Sequence, residues 1–135
     1  MPGNPFYAVN THATAFATDD TKQRHLDKFK SILDGIVAEG KFFVAGGDLN
    51  EIPPNASKMD YCLDDQCEGE SFHEPGGYNH KEGSYFAPEI TWLEALYKSY
   101  KPAIPLDIYG SNETKHFTHS VDINLTLDRK LDYLW

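Results

Sequence analysis

The sequence lacks a long hydrophobic run, and this shortage excludes one class of protein. Its longest uninterrupted apolar stretch is Phe42–Ala45, far short of the roughly 20 residues that a membrane-spanning helix needs. The opening residues Met1–Pro5 have neither a basic start nor a following apolar segment, as a secretory signal would. We therefore expect a protein without a transmembrane segment.

Basic residues are scarce, and one segment has almost none. The 135 residues include 12 Lys and Arg against 21 Asp and Glu, a formal net charge of −9. Residues 48–90 contain only Lys58 and Lys81 against ten carboxylates, a local net charge of −8, whereas both flanks are nearly balanced. Because nucleic-acid phosphates attract Lys and Arg, the central segment argues against nucleic acid, but the flanks are compatible with a phosphate-bearing substrate.

Cysteine is almost absent too. Cys62 and Cys67 form a C-x4-C pair, which is compatible with a small disulfide or with two free thiols. A zinc site would need further ligands, and the remaining candidates follow no familiar zinc spacing: His73, His80, His116 and His119. The acidic side chains of this segment lack the EF-hand order of ligands, so they indicate a solvated acidic loop.

What the sequence does have is enough apolar material for a core, with 40% hydrophobic and 13% aromatic residues. Phe6–His12 is typical of a short strand. Asp20 and Gln23 form a capping box that predicts an amphipathic helix ending at Gly40. Lys41–Gly47 predicts a strand buried on both faces. The order strand, helix, strand predicts an α/β fold.

The second half of the chain has weaker signals. A capping box that starts at Thr91 predicts a short helix, which Pro102 and Pro105 end. His116–Thr118 and Lys130–Trp135 resemble two further strands. Because the last of them reaches the final residue without a stop signal, we expect the domain to continue beyond this chain.

Three polar residues follow the first two predicted strands. Asp48 and Asn50 are two positions apart, so both side chains can point to the same side where a buried strand ends. A carboxylate there can orient water or hold a divalent cation, and a carboxamide can donate to a phosphate oxygen. His12 ends the first strand and can protonate or bind a phosphoryl group. The alternative is a strand-to-turn junction that uses these residue types for turn geometry alone.

Four short blocks in this order resemble the C-terminal half of the endonuclease/exonuclease/phosphatase superfamily: Asn10–His12, Gly47–Asn50, His116–Thr118 and Arg129–Leu134. The resemblance implies part of a four-layer α/β sandwich, with two mixed sheets flanked by helices. It also implies hydrolysis of a phosphodiester or phosphomonoester with Mg²⁺, or with Mn²⁺ or Ca²⁺. The implied substrate is a small molecule, a lipid headgroup or a nucleic acid.

The resemblance also implies a role for each matched residue. His12 resembles the histidine that contacts the phosphate or leaving group, and Asp48 the aspartate that positions water and touches the metal. Asn50 resembles the phosphate-binding asparagine beside the metal, and Asp132 the carboxylate that orients a terminal catalytic histidine. The family's principal metal ligand, a Glu, would precede residue 1, and its closing Ser-Asp-His motif would follow Trp135.

These expectations describe residues 1–135 as a partial phosphoesterase domain that is inactive and only marginally stable without its N-terminal half. Lacking the second sheet, such a chain should expose apolar residues of its own sheet, namely Phe42, Val44, Leu131 and Leu134. The competing hypothesis is a non-catalytic module whose acidic segment binds a cation or a basic protein.

Overall fold

The computed structural model describes residues 6–15, 21–56, 92–120, 123–127 and 129–135. The predictions for Cys62, Cys67 and most of the acidic segment lie outside these ranges, as do the capping residues Asp20 and Thr91. No helix among the described residues is both long and apolar enough to cross a membrane.

A three-stranded mixed sheet organises the fold. Its strands are β1 (Phe6–His12), β2 (Phe42–Asp48) and β3 (Asp132–Leu134), in the spatial order β1-β2-β3. β1 and β2 are parallel, and β2 and β3 are antiparallel. The predicted strands at both ends of the first helix are therefore present, the second of them shifted by one residue, and the fold is of the α/β type.

Helix α1 (Thr21–Ala38) connects the two parallel strands. Its buried side chains recur at helical spacing and face the sheet: Leu26, Phe29, Leu33 and Ile36. At its C-terminus the amide of Gly40 donates to the Val37 carbonyl and that of Lys41 to the Ile36 carbonyl. This pair of hydrogen bonds is a Schellman motif, so the predicted stop at Gly40 is confirmed.

Two short helices and a 3₁₀ turn precede β3: α2 (Glu94–Ser99), α3 (Leu106–Ser111) and the 3₁₀ helix Glu113–His116. α2 begins later than the predicted capping box, because Leu93 occupies the N-cap position and its carbonyl accepts the amides of Leu96 and Tyr97. The sequence did not predict α3, which follows Pro105.

The predicted strand His116–Thr118 is wrong. His116 ends the 3₁₀ helix, and the described residues of this region form a single isolated antiparallel bridge, between His119 and Arg129. The predicted strand Lys130–Trp135 is shorter than expected, since only Asp132–Leu134 has strand geometry. Trp135 nevertheless exchanges two backbone hydrogen bonds of 2.7 Å with Ala45, which extends the pairing to the last residue.

One face of the sheet, which we call the inner face, forms the core. Ala45 and Tyr133 lie on it and pack with α1 and α2 in a cluster that also includes Leu93, Leu96 and Trp135. The Tyr133 and Trp135 rings stack with centroids 5.4 Å apart, and the Phe29 ring meets Trp135 edge to face. These aromatic contacts attach α1 to the strand that is most distant in sequence.

The opposite face, the outer face, is exposed and apolar. Phe6 is 66% exposed, Phe42 68%, Val44 47% and Leu134 51%. The prediction that β2 is buried on both faces is therefore wrong, because no layer of the described residues covers Phe42 and Val44. The predicted exposure is confirmed for Phe42, Val44 and Leu134, but it is wrong for Leu131, which directly precedes β3 and is buried.

Candidate functional site

Three titratable residues lie in one row across the sheet. His12 is the register partner of Asp48 in the parallel pair, and Asp48 is the partner of Asp132 in the antiparallel pair. Residues that are directly opposite on neighbouring strands project to the same side. The row formed by His12, Asp48 and Asp132 therefore lies at the polar end of the outer face.

Within the row, the side chains of His12 and Asp48 lie close to each other. The His12 Nε2 atom is 3.7 Å from Asp48 Oδ2, which is too long for a direct hydrogen bond and suits a bridging water or ligand oxygen. The imidazole is 75% exposed and the carboxylate 30%. A solute can therefore approach both groups, while the base of the Asp48 side chain is held by the sheet.

Two glycines allow the strands of the row to approach each other. A Cβ on Gly47 would lie 2.0 Å from the Thr11 carbonyl oxygen, and one on Gly46 would lie 2.1 Å from the Tyr133 carbonyl oxygen. Gly47 also has φ +129°, which L side chains rarely adopt. The pair Gly46 and Gly47 is thus needed for the close packing of β2 against both neighbours, and not for a turn alone.

Asn50 locks the segment that follows β2. Its backbone has φ 51°, a left-handed conformation that Asn tolerates better than most residues. Its amide donates to Asp48 Oδ1 at 2.8 Å, and its side-chain Nδ2 donates to the Ala13 carbonyl at 2.9 Å. Because Nδ2 carries two hydrogens, this second bond ties β1 to β2 and still leaves one donor for a ligand.

Thr118 supports the third member of the row. The Thr118 hydroxyl oxygen accepts the backbone amides of Leu131 and Asp132, each at 3.1 Å. Lys130 donates to the Asp132 carbonyl, and its Nζ lies 4.7 Å from the centre of the Tyr133 ring. Burial lowers the pKa of Lys130, while the nearby Asp132 carboxylate opposes that shift.

A buried ion pair includes Glu51, the residue that follows Asn50. Glu51 is fully buried, and its Oε2 atom is 3.2 Å from Nζ of Lys22, which is 3% exposed. The Tyr133 hydroxyl donates to the Glu51 carbonyl at 2.6 Å. Glu51 is therefore fixed both to the first turn of α1 and to β3.

The geometry brings together the four residues that the sequence singled out, although Asn50 contacts Asp48 and Ala13 rather than His12. The sequence did not indicate that Thr118 supports Asp132, although Thr118 belongs to the block His116–Thr118. It also missed Glu51 and Lys22, because no local pattern marks two charged residues as partners in a core. The adjacency of Glu51 to Asn50 was the only available signal.

The metal-binding potential of the row is partial. Asp48 and Asn50 offer oxygen atoms, which Mg²⁺ prefers, and Asp132 places a second carboxylate opposite Asp48. Within the described ranges, no group of three or more His, Cys, Asp or Glu side chains is placed to hold a metal ion.

Comparison with known proteins adds no identification. No protein-family model, no curated protein and no solved structure matches this chain.

Proposed function

We propose that the chain is the C-terminal half of a phosphoesterase domain that hydrolyses a phosphodiester or phosphomonoester with the help of a divalent metal ion. The single observation that carries this proposal is the row of His12, Asp48 and Asp132 at the end of three neighbouring strands. An accessible imidazole, two carboxylates and a carboxamide are a set of groups that suits phosphoryl transfer to water.

Each residue has a distinct task in this proposal. Asp48 orients the attacking water through the carboxylate oxygen that faces His12. His12 binds the phosphoryl group or protonates the leaving oxygen, because an imidazole can both donate hydrogen bonds and transfer protons. Asn50 donates its remaining amide hydrogen to a phosphate oxygen without adding charge. Asp132 orients a further histidine that lies outside the described residues.

The metal ion is Mg²⁺ or a related cation such as Mn²⁺ or Ca²⁺. Facing carboxylates on neighbouring strands repel each other, so Asp48 and Asp132 gain from a cation beside them. Asp48 and Asn50 supply two oxygen ligands, and the principal carboxylate ligand comes from outside the described residues. When bound, such an ion polarises the phosphoryl oxygen and neutralises developing charge.

The exposed outer face supports the finer proposal of a four-layer sandwich. Four apolar side chains on that face are about half exposed or more: Phe6, Phe42, Val44 and Leu134. Sheets that pack face to face bury such residues against each other. We infer that a second sheet, supplied by the N-terminal half of the same domain, covers the outer face and brings the missing metal ligand to the row.

Activity of the complete enzyme tests the proposal. Asp48→Ala and His12→Ala should each reduce turnover of a chromogenic phosphodiester about 100-fold or more, without changing the far-ultraviolet circular dichroism. Excess chelator should abolish turnover, and Mg²⁺ or Mn²⁺ should restore it. Near-normal activity of both variants, or full activity in chelator, would contradict the proposal.

The coding DNA on both sides of this chain offers a cheaper test. An upstream strand that carries Glu and a downstream Ser-Asp-His motif would favour the enzyme. Stop codons at both ends would favour the binding module, in which the acidic segment recruits a cation or a basic partner.

A further inference from the structure

A groove adjoins the row on the side of helix α1. It lies between β1 and α1, has a volume of about 200 Å³, and shares His12 with the row. Phe29 and Ile32 contribute apolar walls. Pockets for drug-sized ligands begin at about 300 Å³, so this groove suits one small chemical group.

The polar lining of the groove is cationic or hydrogen-bond donating. Lys28 and His25 contribute from α1, and Asn10, Thr11 and His12 contribute from β1. No carboxylate lines the groove among the described residues. The Asp48 carboxylate faces His12 from the row and does not line the groove. An ammonium group and two imidazoles favour an anion, and Lys28 would repel a metal ion.

The orientation of His25 strengthens this assignment. The Thr14 backbone amide donates to His25 Nδ1 at 3.3 Å, and the Thr14 hydroxyl lies at the same distance. Because a backbone amide can only donate, Nδ1 accepts, and the neutral ring carries its proton on Nε2. His25 therefore keeps an N–H donor for a ligand, whether the ring is neutral or protonated.

Helix geometry places these groups side by side. His25 and Lys28 are three positions apart on α1, and Ile32 is four positions after Lys28, so all three lie on one helix face. Lys30, in contrast, pairs with Asp34 at 2.8 Å and is not part of the groove.

We propose that this groove binds a second phosphate group of the substrate while the scissile phosphate lies at the row. This inference rests on the proposed function and deepens it, because it makes the preferred substrate a phosphate ester with two phosphate groups. His12, which lines both sites, lies between them, and Lys28 with His25 distinguishes such a substrate from one with a single phosphate.

The test compares two chromogenic substrates in the complete enzyme: thymidine 5′-(p-nitrophenyl phosphate) with and without a 3′-phosphate. Lys28→Gln should lower the preference in kcat/KM for the doubly phosphorylated substrate about fivefold, mainly through KM, and added salt should reduce the wild-type preference. His25→Gln should act in the same direction. The matched control is Lys30→Gln, which removes the same charge from the same helix and should leave the preference unchanged.

An unchanged preference in Lys28→Gln, or an equal loss in Lys30→Gln, would overturn the assignment of the groove. Repeating the comparison with glycerol p-nitrophenyl phosphate and its second-phosphate derivative identifies the source. A preference in both series means that the phosphate alone is recognised, and one in the nucleoside series alone means a nucleic-acid substrate.

A binding measurement separates this proposal from the proposed function. Inorganic phosphate should shift the ring resonances of His12 and His25 with one common dissociation constant, and Lys28→Gln should raise that constant about fivefold. Phosphate binding without any hydrolysis would contradict the proposed function and support the groove. Hydrolysis without any shift of the His25 resonances would support the proposed function and contradict the groove.

Discussion

Replacing Gly47 by Ala tests whether close contact between β1 and β2 holds the row together. The new Cβ would lie 2.0 Å from the Thr11 carbonyl oxygen and 2.7 Å from Asn10 Oδ1. Ordinary contacts begin above 3 Å, so β1 must move away by about 1 Å. The hydrogen bond from the Ala13 amide to the Asp48 carbonyl, now 2.9 Å, would then exceed the usual limit of about 3.2 Å.

Two contributions determine how much unfolding free energy Gly47→Ala removes. An Ala forced to keep φ +129° is strained by about 1–3 kcal/mol. Loss of the adjoining backbone bond adds about 1 kcal/mol. The expected loss of unfolding free energy is therefore about 3 kcal/mol, or roughly 100-fold in the folding equilibrium.

Urea unfolding of the complete domain, followed by circular dichroism, measures this difference. The matched control is Gly35→Ala, because a Cβ on Gly35 meets nothing within 4 Å. In the interior of α1 that change should stabilise the helix by about 1 kcal/mol. A Gly47→Ala variant within about 0.5 kcal/mol of wild type would refute the close-contact argument. Equal destabilisation by Gly35→Ala would show that any added methyl group harms the chain.

Three further predictions concern stability and association. In the isolated chain, Phe42→Glu should reduce self-association through the outer face, as measured by sedimentation velocity. The control is Ile108→Glu on α3, where Ile108 is 51% exposed and its replacement should not reduce self-association. Equal effects of the two changes would contradict this role of the outer face. Lys22→Met and Glu51→Leu should each lower the unfolding free energy by about 3–5 kcal/mol, because either change leaves the other charge buried. The double variant should unfold at a higher urea concentration than either single variant. A double variant that is less stable than either single variant would argue against the pair. Burial raises the pKa of Tyr97, so the contribution of Tyr97 to the unfolding free energy is complete below about pH 10 and is lost as the pH rises further, because the unfolded chain ionises first. Tyr97→Phe should flatten this loss above about pH 10, and an unchanged slope there would exclude Tyr97 as its cause.

Local signals predicted the first half of the fold well. β1 has the predicted bounds, and β2 is shifted by one residue, because apolar runs and glycines are properties of neighbouring residues. The parallel arrangement of β1 and β2 then brings His12 opposite Asp48, because the carboxyl ends of parallel strands meet at the same edge of a sheet.

The remaining features depend on partners that are distant in sequence. The outer face is exposed because none of the residues that the structure describes forms a second layer over Phe42 and Val44. An apolar run alone cannot show how many layers surround it. His116 joins a 3₁₀ helix because one isolated bridge at His119 offers too little pairing for a strand. Glu51 is buried because Lys22 reaches it from another element.

The pairing of Asp48 with Asp132 has a consequence for the order of folding. β1, α1 and β2 are consecutive in sequence, so they can meet by closing short loops. β3 pairs with β2 only after the long segment between Asp48 and Asp132 has been closed, which costs more entropy and slows folding. We therefore expect that, during synthesis, β1 and β2 can bring His12 and Asp48 together before Asp132 emerges. The row is then completed in a late step, so a ribosome-bound chain that ends before β3 would hold two of the three row residues, His12 and Asp48, and would lack Asp132.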